Sequence, residues 1–170
     1  MALEKDRIRE VFLQQYPGLC RFLTGIVGAS GAHDLAQESF LRLCGARLGE
    51  VSDDEIRYWL FRVGRNLALN QVNREKTRRR LWRRAAEALA LVRPRPDETL
   101  ELSEERRLIR ELLQRLPEHQ RSAVILREQE EMSYREIALV LAISEAKVKI
   151  DIYRGRQKLR ELWHEENDEM

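Results

Sequence analysis

Apolar residues recur every three or four positions through residues 1–92, the period expected of helices that bury one face. Pro17 predicts the start of a second helix, because proline suits the first helical turn. The segment Gly28–Gly31 predicts the break before a third helix, which ends near Gly45 or Gly49. The apolar positions of these three stretches are Leu3, Ile8, Val11 and Phe12, then Leu19, Phe22, Leu23, Ile26 and Val27, then Leu35, Ala36, Phe40 and Leu43.

A fourth apolar stretch begins at Ser52, where Glu55 completes a capping box, and continues to about Arg80. Its predicted core stripe is Ile56, Leu60, Val63 and Leu67. A polar row lies beside that stripe: Arg62, Asn66, Asn70 and Asn73, followed by Arg74. Asparagine is a poor helix former, and its amide both donates and accepts, which suits hydrogen bonds to base edges. The row indicates a nucleic-acid surface, with ordinary surface polarity as the alternative. The aromatic residues beside it either stack on bases or pack in the core: Tyr58, Trp59 and Phe61.

The pattern is interrupted in the middle of the chain. Two prolines in Arg93–Glu98 lack amide donors and restrict the residues before them, which predicts a linker over residues 93–102. Helical periodicity resumes near Ser103, and Pro117 opens a further helix. No strand pattern of useful length occurs. We therefore predict an all-α fold of two small helical domains, residues 1–92 and 103–170.

The last third of the chain predicts a short helix, a tight turn and a longer basic helix. Ser133 with Glu136 forms another capping box, and Ser144 is a candidate N-cap of the second helix. The buried stripe of that helix is predicted to be Val148, Ile152, Gly155, Leu159 and Leu162, opposite Lys147, Ile150 and Arg154. This arrangement predicts a helix-turn-helix, whose second helix fits the DNA major groove. An ordinary helical hairpin with a solvated basic face is the alternative.

The charge distribution supports a polyanionic ligand although the net charge is only +2. Residues 61–95 contain eleven Arg or Lys and two Glu, and residues 144–160 contain six basic and two acidic residues. Two basic blocks on a nearly neutral chain are typical of two nucleic-acid contact surfaces.

Several classes of protein find no support in the sequence. No apolar run is long enough for a membrane span and the N-terminus is charged rather than signal-like, so we expect a cytoplasmic protein. Cys20 and Cys44 have no metal-type spacing, and we expect both to be buried free thiols. The three histidines are scattered. Without a nucleophile–base pair, a phosphate-binding glycine loop or a metal cluster, we expect neither an enzyme nor a cofactor.

Two segments, in the expected order, resemble conserved regions of the extracytoplasmic-function sigma factors of bacterial RNA polymerase. The segment Asp34–Phe40 followed by Tyr58–Asn66 resembles their region 2. The matches to region 4 are Leu116–Arg121, Met132–Ala138, Lys149 and Arg154–Leu159. The resemblance covers nearly the whole chain and is specific because two independent motifs occur together.

The resemblance implies a promoter-specificity subunit. Its core-polymerase contacts would be Asp34, Gln37 and Glu38, which correspond to a helix that docks on the polymerase clamp. Its minus-ten contacts would be Arg62, Asn66 and Asn70, extended along the row by Asn73 and Arg74. The loop from about Leu48 to Asp54 would help to select a base turned out of the stack. The implied partners are core RNA polymerase, promoter DNA and an anti-sigma factor that is often anchored in the membrane.

The helix-turn-helix departs from the family pattern. Ala142 stands where glycine is frequent, and Lys147 replaces the usual threonine. Ile150 and Asp151 replace a usual serine–arginine pair. The predicted minus-thirty-five contacts are Lys147, Lys149, Ile150, Asp151 and Arg154. Asp151 would accept from cytosine, repel phosphate, or pair with Lys147 four residues earlier. We therefore expect an unusual minus-thirty-five preference.

Two other interpretations compete with a sigma factor. A free-standing operator-binding regulator of the response-regulator type accounts for the helix-turn-helix, but it leaves the asparagine row and the Asp34–Phe40 helix without a purpose. The other is a helical adaptor that binds other proteins. In that interpretation the charged residues serve only to keep the helix surfaces solvated.

Overall fold

The computed structural model describes residues 4–89 and 104–168. Within these ranges the chain forms helices and no strand, which confirms the predicted all-α class. The helices are α1 Lys5–Val27, α2 Ala29–Gly45, α3 Asp53–Leu89, α4 Glu104–Gln114, α5 Glu118–Glu128, α6 Tyr134–Leu141 and α7 Glu145–Asp168. The predicted linker, residues 93–102, lies outside the described residues, so the domain boundaries stay predictions.

Helix α1 runs through Pro17 without interruption, and the predicted start of a new helix there is wrong. An interior proline costs about 3 kcal/mol because it removes a backbone hydrogen bond and crowds the preceding turn. Burial on both sides of the proline offsets this cost, since Val11 before it and Leu19 after it pack in the same core. The predicted break at Gly28 is confirmed: α1 ends there, and Gly28 has a φ of 84°, which favours glycine.

Helix α3 begins with the predicted capping box. The Glu55 amide donates to Ser52 Oγ at 3.2 Å, and the Ser52 amide donates to Glu55 Oε2 at 2.7 Å. The helix continues past Arg80 to Leu89, further than predicted. Its core face also differs from the predicted stripe, because Val63 and Leu67 are only half-buried. The large apolar residues that α3 buries fully are Ile56, Leu60 and Phe61, with Ala68 further along.

The helix-turn-helix is formed by α6 and α7. Its capping box is present, with the Ser133 amide donating to Glu136 Oε2 at 2.6 Å and the Glu136 amide donating to Ser133 Oγ at 3.2 Å. Ala142 in the turn is left-handed, with φ 56° and ψ 45°. Ser144 caps α7, since its Oγ accepts from the Lys147 amide at 3.2 Å. The predicted stripe of α7 is buried except at Leu159, which is half-buried.

The two halves of the chain pack against each other. Helix α1 contacts α4 and α5, and α3 contacts α6, so one apolar core continues from the N-terminal into the C-terminal half. Gly25 lies at this contact, where an added Cβ would force the end of the Ile125 side chain to move. The described parts of the two predicted domains therefore form one compact arrangement.

Candidate nucleic-acid and protein-binding surfaces

The polar row of α3 lies on one exposed side of the helix. Its members are Arg62, Asn66, Asn70, Asn73 and Arg74, and all five are exposed. The asparagine amides are thus presented to solvent beside a buried apolar face, as base recognition requires. Of the nearby aromatic residues, Tyr58 and Trp59 are half-buried. Phe61 is fully buried and lies 5.6 Å from Phe22 between ring centroids, so it packs in the core and does not stack on bases.

A pocket of about 680 Å³ lies between the start of α3, the loop that precedes it and helix α6. Tyr58 Oη donates to Glu136 Oε1 across it at 3.0 Å. Burial, followed by the hydrogen bond to Glu136, raises the pKa of Tyr58 to about 12. The Arg62 guanidinium donates to the Leu139 carbonyl of α6. One member of the polar row is therefore engaged by the helix-turn-helix in this arrangement.

Further polar contacts join the two halves. Arg21 binds both carboxylate oxygens of Glu130 at 3.1 Å, and Arg65 binds those of Glu118 at 2.9 and 2.6 Å. Arg57 donates to the Glu130 carbonyl at 3.1 Å. The Glu130 side chain is only 4% exposed, so its carboxylate depends on Arg21. These contacts were missed by the sequence reasoning, because pairs separated by 53 to 109 positions leave no periodic signal.

A second exposed surface lies on α2. Asp34 and Gln37 are exposed and Glu38 is half-exposed, at the helical spacing that places them on one side. The Glu38 carboxylate pairs with Arg42 on the same helix at 2.9 Å. This acidic and amide surface can accept hydrogen bonds from a basic partner.

The cysteines differ from the expectation. Cys20 is buried, and burial raises the pKa of its thiol. Cys44 is exposed, so the prediction of a buried thiol there is wrong; α2 turns that position outward near its C-terminal end.

Across the described ranges, no group of three His, Cys, Asp or Glu side chains is arranged to hold a metal ion. No described helix is long and apolar enough to cross a bilayer.

The basic helix α7 presents a face that differs from the predicted one at Asp151. Lys149, Ile150 and Arg154 are exposed, whereas Lys147 is half-buried. Asp151 is 0% exposed, so its predicted contact with a base is wrong for this arrangement. The reason is its position beside the apolar stripe of α7, which faces the protein interior.

The buried Asp151 carboxylate is only partly satisfied. Its Oδ1 pairs with the Lys147 ammonium and lies 3.7 Å from His119 Nε2. Its Oδ2 has no hydrogen-bond partner among the described residues. Of the three roles considered for Asp151, the pair with Lys147 is the one that the structure shows. Tyr153, which the sequence reasoning missed, is 65% exposed and lies three residues after Ile150 on the same side. Its spacing from Ile150 was the available signal.

Comparisons with known proteins agree with this geometry. The model of sigma-70 region 2 matches residues 11–79, and that of sigma-70 region 4 matches residues 106–159. The chain is 31% identical over 141 residues to the RNA polymerase sigma-H factor of Pseudomonas aeruginosa, covering 77% of this chain and 72% of that protein. It is 27% identical over 166 residues to the ECF RNA polymerase sigma factor SigM of Bacillus subtilis, covering 92% of this chain and 95% of that protein.

Solved structures share the fold. The sigma factor RpoE in complex with the anti-sigma factor NepR from Bartonella quintana has a TM-score of 0.65 at 23% identity, covering 95% of this chain and 98% of that chain. CnrH in complex with the cytosolic domain of CnrY has a TM-score of 0.67 at 24% identity, covering 95% and 90%. With two family regions in order and a relative above 30% identity, the chain belongs to the extracytoplasmic-function sigma factors of the sigma-70 family, the promoter-specificity subunits of RNA polymerase.

Proposed function

We propose that this sigma factor binds core RNA polymerase through α2 and opens promoters through the polar row of α3. The observation that carries the proposal is the row itself: three asparagines and two arginines are all exposed on one side of a helix whose opposite face is buried. Asp34, Gln37 and Glu38 would contact the polymerase clamp. The domain assignment goes with this proposal, with region 2 in residues 1–92, a linker over 93–102 and region 4 in 103–170.

Strand opening at the minus-ten element would be driven by binding. Turning a base out of the stack costs a few kcal/mol, which the protein must recover from its own contacts. The amides of Asn66, Asn70 and Asn73 supply donors and acceptors to base edges, and the arginines at both ends of the row supply phosphate contacts. The nucleotide chemistry belongs to the polymerase, and this chain contributes recognition alone.

Recognition of the minus-thirty-five element would fall to the exposed side of α7. Lys149 and Arg154 are placed to contact phosphates or guanine, and Ile150 with Tyr153 forms an apolar patch. Because Asp151 is buried and holds Lys147, we assign the unusual preference to Ile150 and Tyr153. An apolar patch in the major groove favours the methyl group of thymine.

Regulation would act on the compact arrangement. The Leu139 carbonyl of α6 holds the Arg62 guanidinium, so we expect promoter binding to compete with this contact and to favour separation of α6 from α3. We propose that a membrane-anchored anti-sigma factor holds the cytoplasmic protein in this closed form. The related structures of RpoE with NepR and of CnrH with CnrY support such a partner.

Transcription in vitro tests the proposal directly. Core RNA polymerase with the wild-type chain is expected to initiate at specific sites on genomic fragments, mapped by the 5′ ends of the transcripts. Asn66→Ala with Asn70→Ala should abolish initiation but leave polymerase binding intact. Gln14→Ala, which removes an exposed amide from α1, is the control and should initiate normally. Absence of specific start sites with the wild-type chain would reject the proposed function.

A further inference from the structure

The C-terminal part of α3 carries an exposed surface that the minus-ten assignment does not use. Every residue from Lys76 to Ala85 is exposed, so this part of the helix extends beyond the core. Its basic residues are Lys76, Arg78, Arg79, Arg80, Arg83 and Arg84. Within residues 4–89 and 104–168, none of their side chains has an ion pair or hydrogen bond. Among the described residues, the extension therefore carries concentrated positive charge without an ion-pair partner.

This charge is unfavourable for the helix alone. Like charges four residues apart repel each other on a helix, and the extension has three such pairs: Lys76 with Arg80, Arg79 with Arg83, and Arg80 with Arg84. A polyanion bound along the side of Arg80 and Arg84 relieves the two repulsions in which these residues take part. The charge pattern therefore favours a nucleic-acid backbone as the ligand of this segment.

The polar row of α3 continues into the extension on the same side. At 3.6 residues per turn, Thr77, Arg80 and Arg84 lie within about 40° of the direction of Asn66 around the helix axis. Arg79 and Arg83 lie about 100° to 140° away from it. Arg84 is about 16 Å beyond Asn73 along the axis, which corresponds to about five nucleotide steps of 3.4 Å. DNA that follows the row would thus meet Arg80 and Arg84 next.

We propose that Thr77, Arg80 and Arg84 form a phosphate-binding surface that holds the promoter backbone about five nucleotides beyond the bases contacted by the asparagine row. The proposal rests on the proposed function, since it extends the same DNA path. The match to sigma-70 region 2 covers residues 11–79, so Thr77 lies inside it and Arg80 and Arg84 lie just beyond its end.

Two matched double variants test the surface in the complete holoenzyme. Arg80→Gln with Arg84→Gln removes charge from the row side, and Arg79→Gln with Arg83→Gln removes the same charge from another side of the same helix. Glutamine and arginine have similar helix propensities, so circular dichroism should be unchanged in both. The probe is a fluorescently labelled promoter fragment that gives a wild-type start site.

Loss of the row-side pair should weaken promoter binding roughly tenfold at physiological salt and lower the slope of log K against log salt by about 2. The control pair should change affinity by less than about twofold. Equal effects of both pairs would show general electrostatic attraction and overturn the proposal. No effect of the row-side pair would also overturn it, and would leave the face to a different ligand such as an acidic protein.

Single neutral methylphosphonate linkages, placed one at a time beyond the minus-ten bases, locate the contact and leave the minus-thirty-five element in place. Neutralisation of the phosphate about five nucleotides beyond those bases should weaken wild-type binding but not binding by the row-side variant. An equal loss of affinity in the wild type and in the row-side variant would contradict the assigned position. If the wild-type holoenzyme initiates normally but the two double variants bind the promoter alike, only the proposal of a phosphate-binding surface is rejected. If the wild-type holoenzyme initiates at no specific site, the proposed function is rejected as well.

Discussion

At the scale of single residues, neighbouring positions of α7 have opposite roles. Ile150 is 45% exposed, whereas Asp151 is fully buried against Lys147. One step along a helix turns a side chain by about 100°, so neighbouring residues can face solvent and core. The spacing of Ile150 from Arg154 predicts exposure, whereas the spacing of Asp151 from Val148 and Gly155 places it beside the buried stripe.

Substitution of these two neighbours should separate folding from DNA preference. Asp151→Ala removes the ion pair to Lys147, whose side chain is 44% exposed, and leaves a small buried space, so it should lower the free energy of unfolding by about 1 kcal/mol. Ile150→Ala should change it by less than about 0.5 kcal/mol but should shift the minus-thirty-five preference. Chemical denaturation and binding to a promoter library measure the two effects. A preference that changes with Asp151 and not with Ile150 would contradict the assignment.

Glu136, which joins the capping box of α6 to Tyr58 of α3, gives the stability of the fold a pH dependence. Burial raises the pKa of Glu136, but hydrogen bonds from Ser133 and Tyr58 outweigh it, and the net pKa is lowered. The stabilisation by this carboxylate is therefore complete above its unfolded-state pKa, about 4.3, and is lost as the pH falls through the lower folded value. The difference in unfolding free energy between the wild type and Glu136→Gln should stay constant from pH 7 to pH 5 and shrink below. A difference that grows with acidity would contradict this sign.

At the scale of helices and turns, local chemistry determined what could be predicted. Capping boxes at Ser52 and Ser133 fixed two helix starts correctly, because their hydrogen bonds are formed by neighbours in sequence. Pro17 misled the prediction because its cost is local but the burial that offsets it comes from α2 and α3. The stripe of α3 was partly misplaced for the same reason, since Phe61 is buried against Phe22 of α1.

The turn of the helix-turn-helix gives a test at this scale. Ala142 is left-handed, and relief of that conformation should make Ala142→Gly more stable than the wild type by about 1 kcal/mol. Ala146→Gly, at an exposed position in the first turn of α7, should instead destabilise the protein by about 1 kcal/mol. Thermal unfolding of both variants distinguishes the two positions. Destabilisation at residue 142 would mean that the turn has another geometry in solution.

At the scale of the whole molecule, the compact arrangement could not have been predicted. The sequence indicated two helical bodies, but the surfaces that join them are distributed over α1, α3, α4, α5 and α6. The polar row lies on α3, within the predicted domain, and was found from its helical period. Its engagement by the Leu139 carbonyl depends on a contact 77 positions away, which no local pattern encodes.

Charge reversal at the interface should open this arrangement. Arg21→Glu with Arg65→Glu places carboxylates against Glu130 and Glu118, and repulsion should separate the two halves. Small-angle scattering should show a radius of gyration above the roughly 16 Å expected for a compact chain of this length. Arg9→Glu with Arg47→Glu makes the same charge change at exposed positions elsewhere and should stay compact. An equal expansion of both variants would mean that net charge, rather than the interface, controls the shape.

Fluorescence of 2-aminopurine placed at each position of the minus-ten element tests base capture by the asparagine row most directly. With the wild-type holoenzyme, fluorescence should rise at one or two adjacent positions where a base leaves the stack. With Asn66→Ala and Asn70→Ala together the rise should be lost, although the variant still binds core polymerase. The same rise at the same positions in this double variant would contradict the account.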